Sequence, residues 1–150
     1  MQLKHTINAH GISNGNSLAY SSDGKTLASA GTDQKVMLWD AATGKKLLLI
    51  KVRDSALSCV ALSPDGKTLV YGSHGIGAKF QFFDLKTRKN LDSLKRDGLN
   101  VLDAVFSPNG QILATSSYPY SKRICFWDVR QRKQIASFVG DNVDGVICMA

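Results

Sequence analysis

The sequence predicts an all-β protein made of repeated units of four short antiparallel strands, and three observations carry that reading. All twelve acidic residues are Asp, no Glu occurs, and thirteen Gly stand among 150 residues. Glu is a strong helix former, whereas Asp and Gly favour tight turns. An aromatic-Asp pair returns at Trp39-Asp40, Phe83-Asp84 and Trp127-Asp128, 44 residues apart each time. The turn glycines Gly24, Gly66 and Gly110 recur at spacings of 42 and 44. Two independent anchors that keep one period mark internal repetition, which decides the architecture before any local argument does.

The elements follow in order within the first unit. Residues 18–21 form a first strand and run into Ser22-Asp23-Gly24, whose glycine supplies the positive φ of a hairpin. Residues 25–30, 35–39 and 46–50 form the second, third and fourth strands, the last preceded by the turn Ala41-Ala42-Thr43-Gly44. The third strands are apolar at both alternations: Val36, Met37, Leu38 and Trp39, then Ile124, Cys125, Phe126 and Trp127. A strand covered on one face alternates, and a strand covered on both does not. Sheets stacked on sheets are therefore expected, in units spanning residues 9–51, 52–95 and 96–139. Residues 2–8 read as the fourth strand of a neighbouring unit, and residues 143–150 as the start of a next one.

A period of about 40–45 residues, four strands and a closing aromatic-Asp pair are the marks of one propeller blade. On these residues the chain resembles the WD-repeat β-propellers, from residue 2 to residue 149. The resemblance implies propeller blades of four antiparallel strands in an incomplete ring, as a fragment of a seven-bladed propeller. A closed ring of that kind needs roughly 300 residues, so the remaining blades are expected from a longer chain or a second copy. The sequence ends before the next expected turn, which reads as a truncated chain or partial gene product. An open arc of this kind leaves apolar sheet faces and an unpaired edge exposed, an aggregation hazard.

The resemblance also implies a hydrogen-bonded chain of His10, Ser29, Asp33 and Trp39 in the first unit. An indole N–H only donates, a hydroxyl relays, and an imidazole does both. The other units depart from the pattern: Val52 and Arg96 stand where His10 does, and neither residues 73–79 nor 117–123 contain an Asp. Thr115 and Trp127 survive in the third unit, and Tyr71 and Phe83 replace the pair in the second. Apolar packing is expected to hold those two units.

Nineteen basic residues against twelve acidic ones give a net charge of +7. Much of it falls on the rim of turns joining first to second and third to fourth strands, as Lys25, Lys67, Lys45, Lys46, Lys86, Arg88, Lys89, Arg130, Arg132 and Lys133. Such a rim attracts anionic partners, and it also serves solubility and blunts sheet edges. No aromatic residues interleave these charges, so a stacking platform for nucleic acid is not indicated. The opposite rim carries Lys51, Arg53, His74, Lys95, Arg96, Tyr118, Tyr120, Lys122 and Arg123. Two tyrosines stiffened by Pro119 beside a Lys-Arg pair have the makeup of a hot spot for an acidic or phosphorylated segment; the plain alternative is an extended hairpin turn.

No nucleophile elbow, metal-ligand spacing or phosphate loop occurs, so neither a metal nor a cofactor is expected. The expected function is a non-catalytic scaffold that displays blade loops to a protein or peptide partner. The alternatives are a lactonase-like propeller enzyme, whose relatives share the Ser-Pro-Asp-Gly turn, and binding of an anionic ligand or nucleic acid along the basic turn rim. No run of about eighteen apolar residues is present to span a membrane. Cys59, Cys125 and Cys148 read as buried, reduced thiols, which suits the cytoplasm.

Overall fold

In the computed structural model, residues 6–53, 56–75, 79–95, 100–118 and 123–139 are described. They form twelve strands: β1 (Gly15–Tyr20), β2 (Thr26–Gly31), β3 (Lys35–Asp40), β4 (Lys46–Lys51), β5 (Leu57–Leu62), β6 (Thr68–Ser73), β7 (Lys79–Asp84), β8 (Lys89–Lys95), β9 (Asn100–Phe106), β10 (Ile112–Tyr118), β11 (Arg123–Asp128) and β12 (Lys133–Val139). Consecutive strands pair antiparallel into three four-stranded sheets, β1–β4, β5–β8 and β9–β12. The fold is all-β among the described residues. Residues 6–8 are in no strand, and residues 2–5 and 143–150 lie outside the described residues.

The hairpins between first and second strands repeat one design. Ser21 donates its hydroxyl to the Asp23 carboxylate, which also accepts the Lys25 amide, while Gly24 turns at φ 68°. Ser63, Asp65, Lys67 and Gly66 do the same in the second sheet. In the third sheet Asn109 replaces the Asp, accepting from Ser107 and the Gln111 amide. The side chain thereby supplies the acceptor that the tight turn lacks.

The innermost strands lie side by side, β1 against β5 and β5 against β9, so the sheets fan out from a shared edge. Polar groups tie the first junction: the Val60 amide donates to Ser17 Oγ, Asn16 Nδ2 to the Leu57 carbonyl, and Ser22 Oγ to the Pro64 carbonyl. Two apolar cores fill the junctions. Ala28, Ala30, Val36, Leu38 and Ile50 of the first sheet meet Val60, Leu69, Tyr71 and Phe83 of the second. Cys59, Val70, Phe80 and Phe82 of the second meet Val101, Leu113, Cys125 and Trp127 of the third. Gly72 shows how close the second junction is, because a Cβ there would lie 2.6 Å from Cys59 Sγ and 2.7 Å from Val101 Cγ1.

The stack has a direction. Tyr71 and Phe83 turn toward the first sheet, and Trp127 turns toward the second. The corresponding face of the first sheet, with Ser29 and Trp39, has no sheet before it among the described residues. Leu18 and Tyr20, opposite Ser29 and Leu27, are accordingly 69% and 65% exposed. At the other end Phe138 is 64% exposed, its ring edge-on to Phe126 at 5.8 Å. This corrects the expectation that every third strand is covered on both faces. β3 is buried at Val36 through Trp39, whereas Ile124 and Phe126 of β11 are only half-buried, because no described sheet follows them.

Candidate functional site

Two places in the fold collect the polar side chains singled out in the sequence. The first is the outer face of the first sheet. Residues 10–14 turn back over β2, with the Ser13 amide bonded to the His10 carbonyl and the Thr32 amide to the Asn14 carbonyl. This seats the imidazole against Gly31, where a Cβ would lie 2.6 Å from His10 Nδ1. Trp39 Nε1 donates to Ser29 Oγ at 3.0 Å, and Ser29 Oγ lies 3.0 Å from His10 Nε2. His10 Nδ1 lies 2.7 Å from Asp33 Oδ1, and Lys35 Nζ reaches Asp33 Oδ2 at 3.0 Å. One proton arrangement satisfies every member: indole to hydroxyl, hydroxyl to Nε2, and Nδ1–H to carboxylate.

Ser29, His10 and Asp33 thus have the connectivity of an activated serine nucleophile. Sequence spacing did not reveal that geometry. Ser29, however, is 2% exposed, and its oxygen already accepts the Trp39 indole. A substrate carbonyl has no open path to that buried oxygen.

The other sheets hold reduced versions. Trp127 Nε1 donates to Thr115 Oγ1 at 2.9 Å, so the third sheet keeps one polar bond within its apolar core. In the second sheet the Tyr71 hydroxyl donates to Asn90 Oδ1 at 3.2 Å, and burial pushes its pKa up to about 12. Asn90, Lys35 and the buried Gln81, which donates to the Leu91 carbonyl, were missed in the sequence. Lys35 alone had a signal, two positions beyond Asp33 across a turn.

The second place is the rim of turns. Lys25, Lys45, Lys46, Lys67, Lys86, Arg88, Lys89, Arg130, Arg132 and Lys133 all belong to β1–β2 and β3–β4 type turns or their flanks. The turns before β4, β8 and β12 share one design, an Asp carboxylate capping its own loop. Asp40 accepts the Thr43 amide at 2.8 Å, Asp84 the Thr87 amide at 2.6 Å and Asp128 the Gln131 amide at 2.6 Å. Each turn has a residue in the left-handed region four positions after that Asp. It is Gly44 at φ 71° in the first, Arg88 at 56° in the second and Arg132 at 54° in the third. A side chain in that conformation costs on the order of 1 kcal/mol. The Arg132 guanidinium also lies 5.8 Å from the centre of the Phe82 ring of the neighbouring sheet.

On the opposite rim Arg53, His74 and Arg123 are exposed, after β4, after β6 and at the start of β11. Among the described residues no hydrogen bond or ion pair joins them. Tyr118 ends β10, while Arg96, Tyr120 and Lys122 lie outside the described residues. Among the described residues no group of three or more His, Cys, Asp or Glu side chains is placed to hold a metal ion, and no helix is long and apolar enough to cross a membrane. Cys59 is buried, which pushes its thiol up to about 12 and leaves it unreactive at neutral pH.

The carboxylates predict an acid response. Hydrogen bonds from Ser21, Thr43, Ser63 and Thr87 hold Asp23, Asp40, Asp65 and Asp84 below the ordinary 3.8. Burial alone would raise Asp33, but the bonds from His10 and Lys35 outweigh it and its pKa is also lowered. A carboxylate whose pKa is lower folded than unfolded adds stability above the unfolded value and loses it as pH falls through the folded one. The melting temperature is therefore expected to fall below about pH 4 as these groups protonate. In Asp33→Asn the fall should be shallower. A melting temperature unchanged down to about pH 2.5 would contradict these assignments.

The comparisons with known proteins agree with this architecture. The family model described as WD domain, G-beta repeat (WD40) matches residues 1–40 and 89–128, just over half of the chain. The unmatched stretch contains Tyr71 and Phe83, where the indole–hydroxyl pair is replaced. Among solved structures, that of U3-55K superimposes with a TM-score of 0.76 at 20% identity, over 89% of this chain and 41% of that one. The crystal structure of RRP9 WD40 repeats gives 0.76 at 21% identity, over 89% and 40%. The chain thus spans about two fifths of the length of these structures, and at such identity the likeness speaks for the fold alone. No curated protein matches the sequence.

Proposed function

Because the chain belongs to the WD40 repeat family, whose propellers typically act as protein-interaction scaffolds, we propose that it is a non-catalytic scaffold displaying its blade loops to a protein or peptide partner. The observation that carries this reading is the fate of its reactive groups. His10, Ser29 and Asp33 are bonded to one another and to Trp39 inside a sheet, and Cys59 and Cys125 are buried between sheets. They hold the blades in place, and the exposed loops are what remains to meet a partner. A peptide docking there finds a surface already ordered, so little entropy is lost on binding. Buried thiols that stay reduced suit the cytoplasm.

Selection of a random displayed peptide library against the folded chain tests this. Enriched peptides should bind the native protein, lose binding when it is unfolded in urea, and keep binding in the open-face variant Leu18→Ser/Phe138→Ser. Binding that persists in urea, or that vanishes in the open-face variant, would mean that exposed sheet faces are merely adhesive. Turnover of a lactone with a divalent cation would overturn the scaffold reading.

A further inference from the structure

Two turns on the basic rim carry the same pattern, basic-x-Arg-Lys: Lys86-Thr87-Arg88-Lys89 before and into β8, and Arg130-Gln131-Arg132-Lys133 before and into β12. In both, the Arg occupies the left-handed position where the first sheet has Gly44. Glycine fits that conformation without strain, so two arginines there hold it against the local preference. Each Asp of these turns is spent on its own loop, Asp84 on the Thr87 amide and Asp128 on the Gln131 amide. None of Arg88, Lys89, Arg130 and Lys133 has an ion-pair partner among the described residues, while Lys86 lies near enough to Asp84 to help lower its pKa.

One side chain links the two turns across the junction between their sheets. Arg132 reaches across the junction to the Phe82 ring, two residues before the Asp84 that opens the other turn. The two turns that flank the seam of the second and third sheets together carry six basic groups against two Asp.

We propose that this seam is the docking surface for an acidic polypeptide segment, one rich in Asp and Glu. The proposal rests on the scaffold reading and names the chemistry of its partner. Arginine forks take carboxylates in bidentate pairs. Arg88 stands exposed on its turn, with Lys86, Lys89, Arg130 and Lys133 as further exposed cations, while Arg132 spans the seam over Phe82. A polypeptide fits better than nucleic acid. Neither turn contains an aromatic residue on which bases stack, and among the described residues no helix stands on the seam to enter a groove.

The test is fluorescence anisotropy with a labelled Glu-Asp repeat peptide, a Gly-Ser repeat peptide and a duplex DNA as probes. The acidic peptide should bind, and the Gly-Ser peptide should not. Arg88→Gly/Lys89→Ser/Arg132→Gly/Lys133→Ser should weaken acidic-peptide binding by about tenfold or more. Lys79→Ser, a charge control at the exposed start of β7, should leave it unchanged. A second variant, Lys86→Gln/Lys89→Gln/Arg130→Gln/Lys133→Gln, keeps both left-handed arginines and the Arg132 contact with Phe82, and should weaken binding too. Arg88→Gly alone should melt no lower than the parent chain. Acidic-peptide affinity equal in parent and both charge variants would overturn the docking surface, while library peptides that still bind would leave the scaffold reading standing. Duplex DNA bound more tightly than the acidic peptide would overturn it in favour of a nucleic-acid partner.

Discussion

Replacing Phe82 by alanine is expected to lower stability by about 3–5 kcal/mol, the cost of emptying a fully buried aromatic site. Phe82 is 1% exposed in the core between the second and third sheets, and the Arg132 guanidinium lies over its ring. The substitution therefore opens a cavity and removes the seat of the neighbouring basic turn. Against a total stability of roughly 5–15 kcal/mol for a small domain, a loss of that size leaves little margin. Urea denaturation measures it, with Ile135→Ser as control, an exposed β12 position expected to change stability by about 0.5 kcal/mol or less. A cost for Phe82→Ala near that of the control would mean that the two sheets do not pack as described.

His10→Ala is expected to cost about 2–3 kcal/mol, because it strands two groups at once. The Asp33 carboxylate, 8% exposed, keeps only Lys35, and the Ser29 hydroxyl keeps only the indole as its donor. Gly31→Ala reaches the same network without deleting a member, since its new methyl would sit 2.6 Å from His10 Nδ1 and 2.8 Å from the Asn14 carbonyl. The two substitutions should not add: with the imidazole gone, its share of the clash goes with it, and the Asn14 carbonyl alone remains close. A double-mutant cycle should return a coupling of about 1 kcal/mol or more. Thr115→Val breaks a two-member remnant and should cost less, about 1 kcal/mol. Additive losses for His10 and Gly31 would show that the imidazole does not sit against β2.

The sequence made legible what rests on period and turn chemistry. Ser, Asp and Gly at fixed offsets specify the β1–β2 and β5–β6 hairpins, because a carboxylate acceptor and a left-handed residue are what such turns need. The Trp39–Ser29 and Trp127–Thr115 pairs followed from the family resemblance, and the register sets each on neighbouring strands two positions apart. Trp39 stands opposite Leu27 and Ser29 opposite Met37, Trp127 opposite Leu113 and Thr115 opposite Cys125. What joins one sheet to the next was not legible. Asn16 reaches Leu57 and Ser17 reaches Val60 across a junction whose partners stand 41 and 43 positions away. Neither residue type nor spacing announces them. Asn90 was hidden because Tyr71 replaces a serine and sends its hydroxyl toward β8 instead of along the face. The left-handed arginines had a signal, alignment of Arg88 and Arg132 with Gly44, but their reach over Phe82 depends on how two sheets stack. The half-covered face of β11 was misjudged because an apolar strand reads alike whether or not a following sheet covers it.

The claim that holds the account together is that stacked sheets form a rigid carrier for turns that bind. Amide hydrogen exchange on the 150-residue chain, with and without the Glu-Asp peptide, addresses both halves at once. The account predicts slow exchange in β2, β3, β6 and β7, fast exchange along the exposed β12, and peptide-induced slowing at residues 84–89 and 128–133. Fast exchange throughout, or slowing confined to the open faces around Leu18 and Phe138, would contradict it.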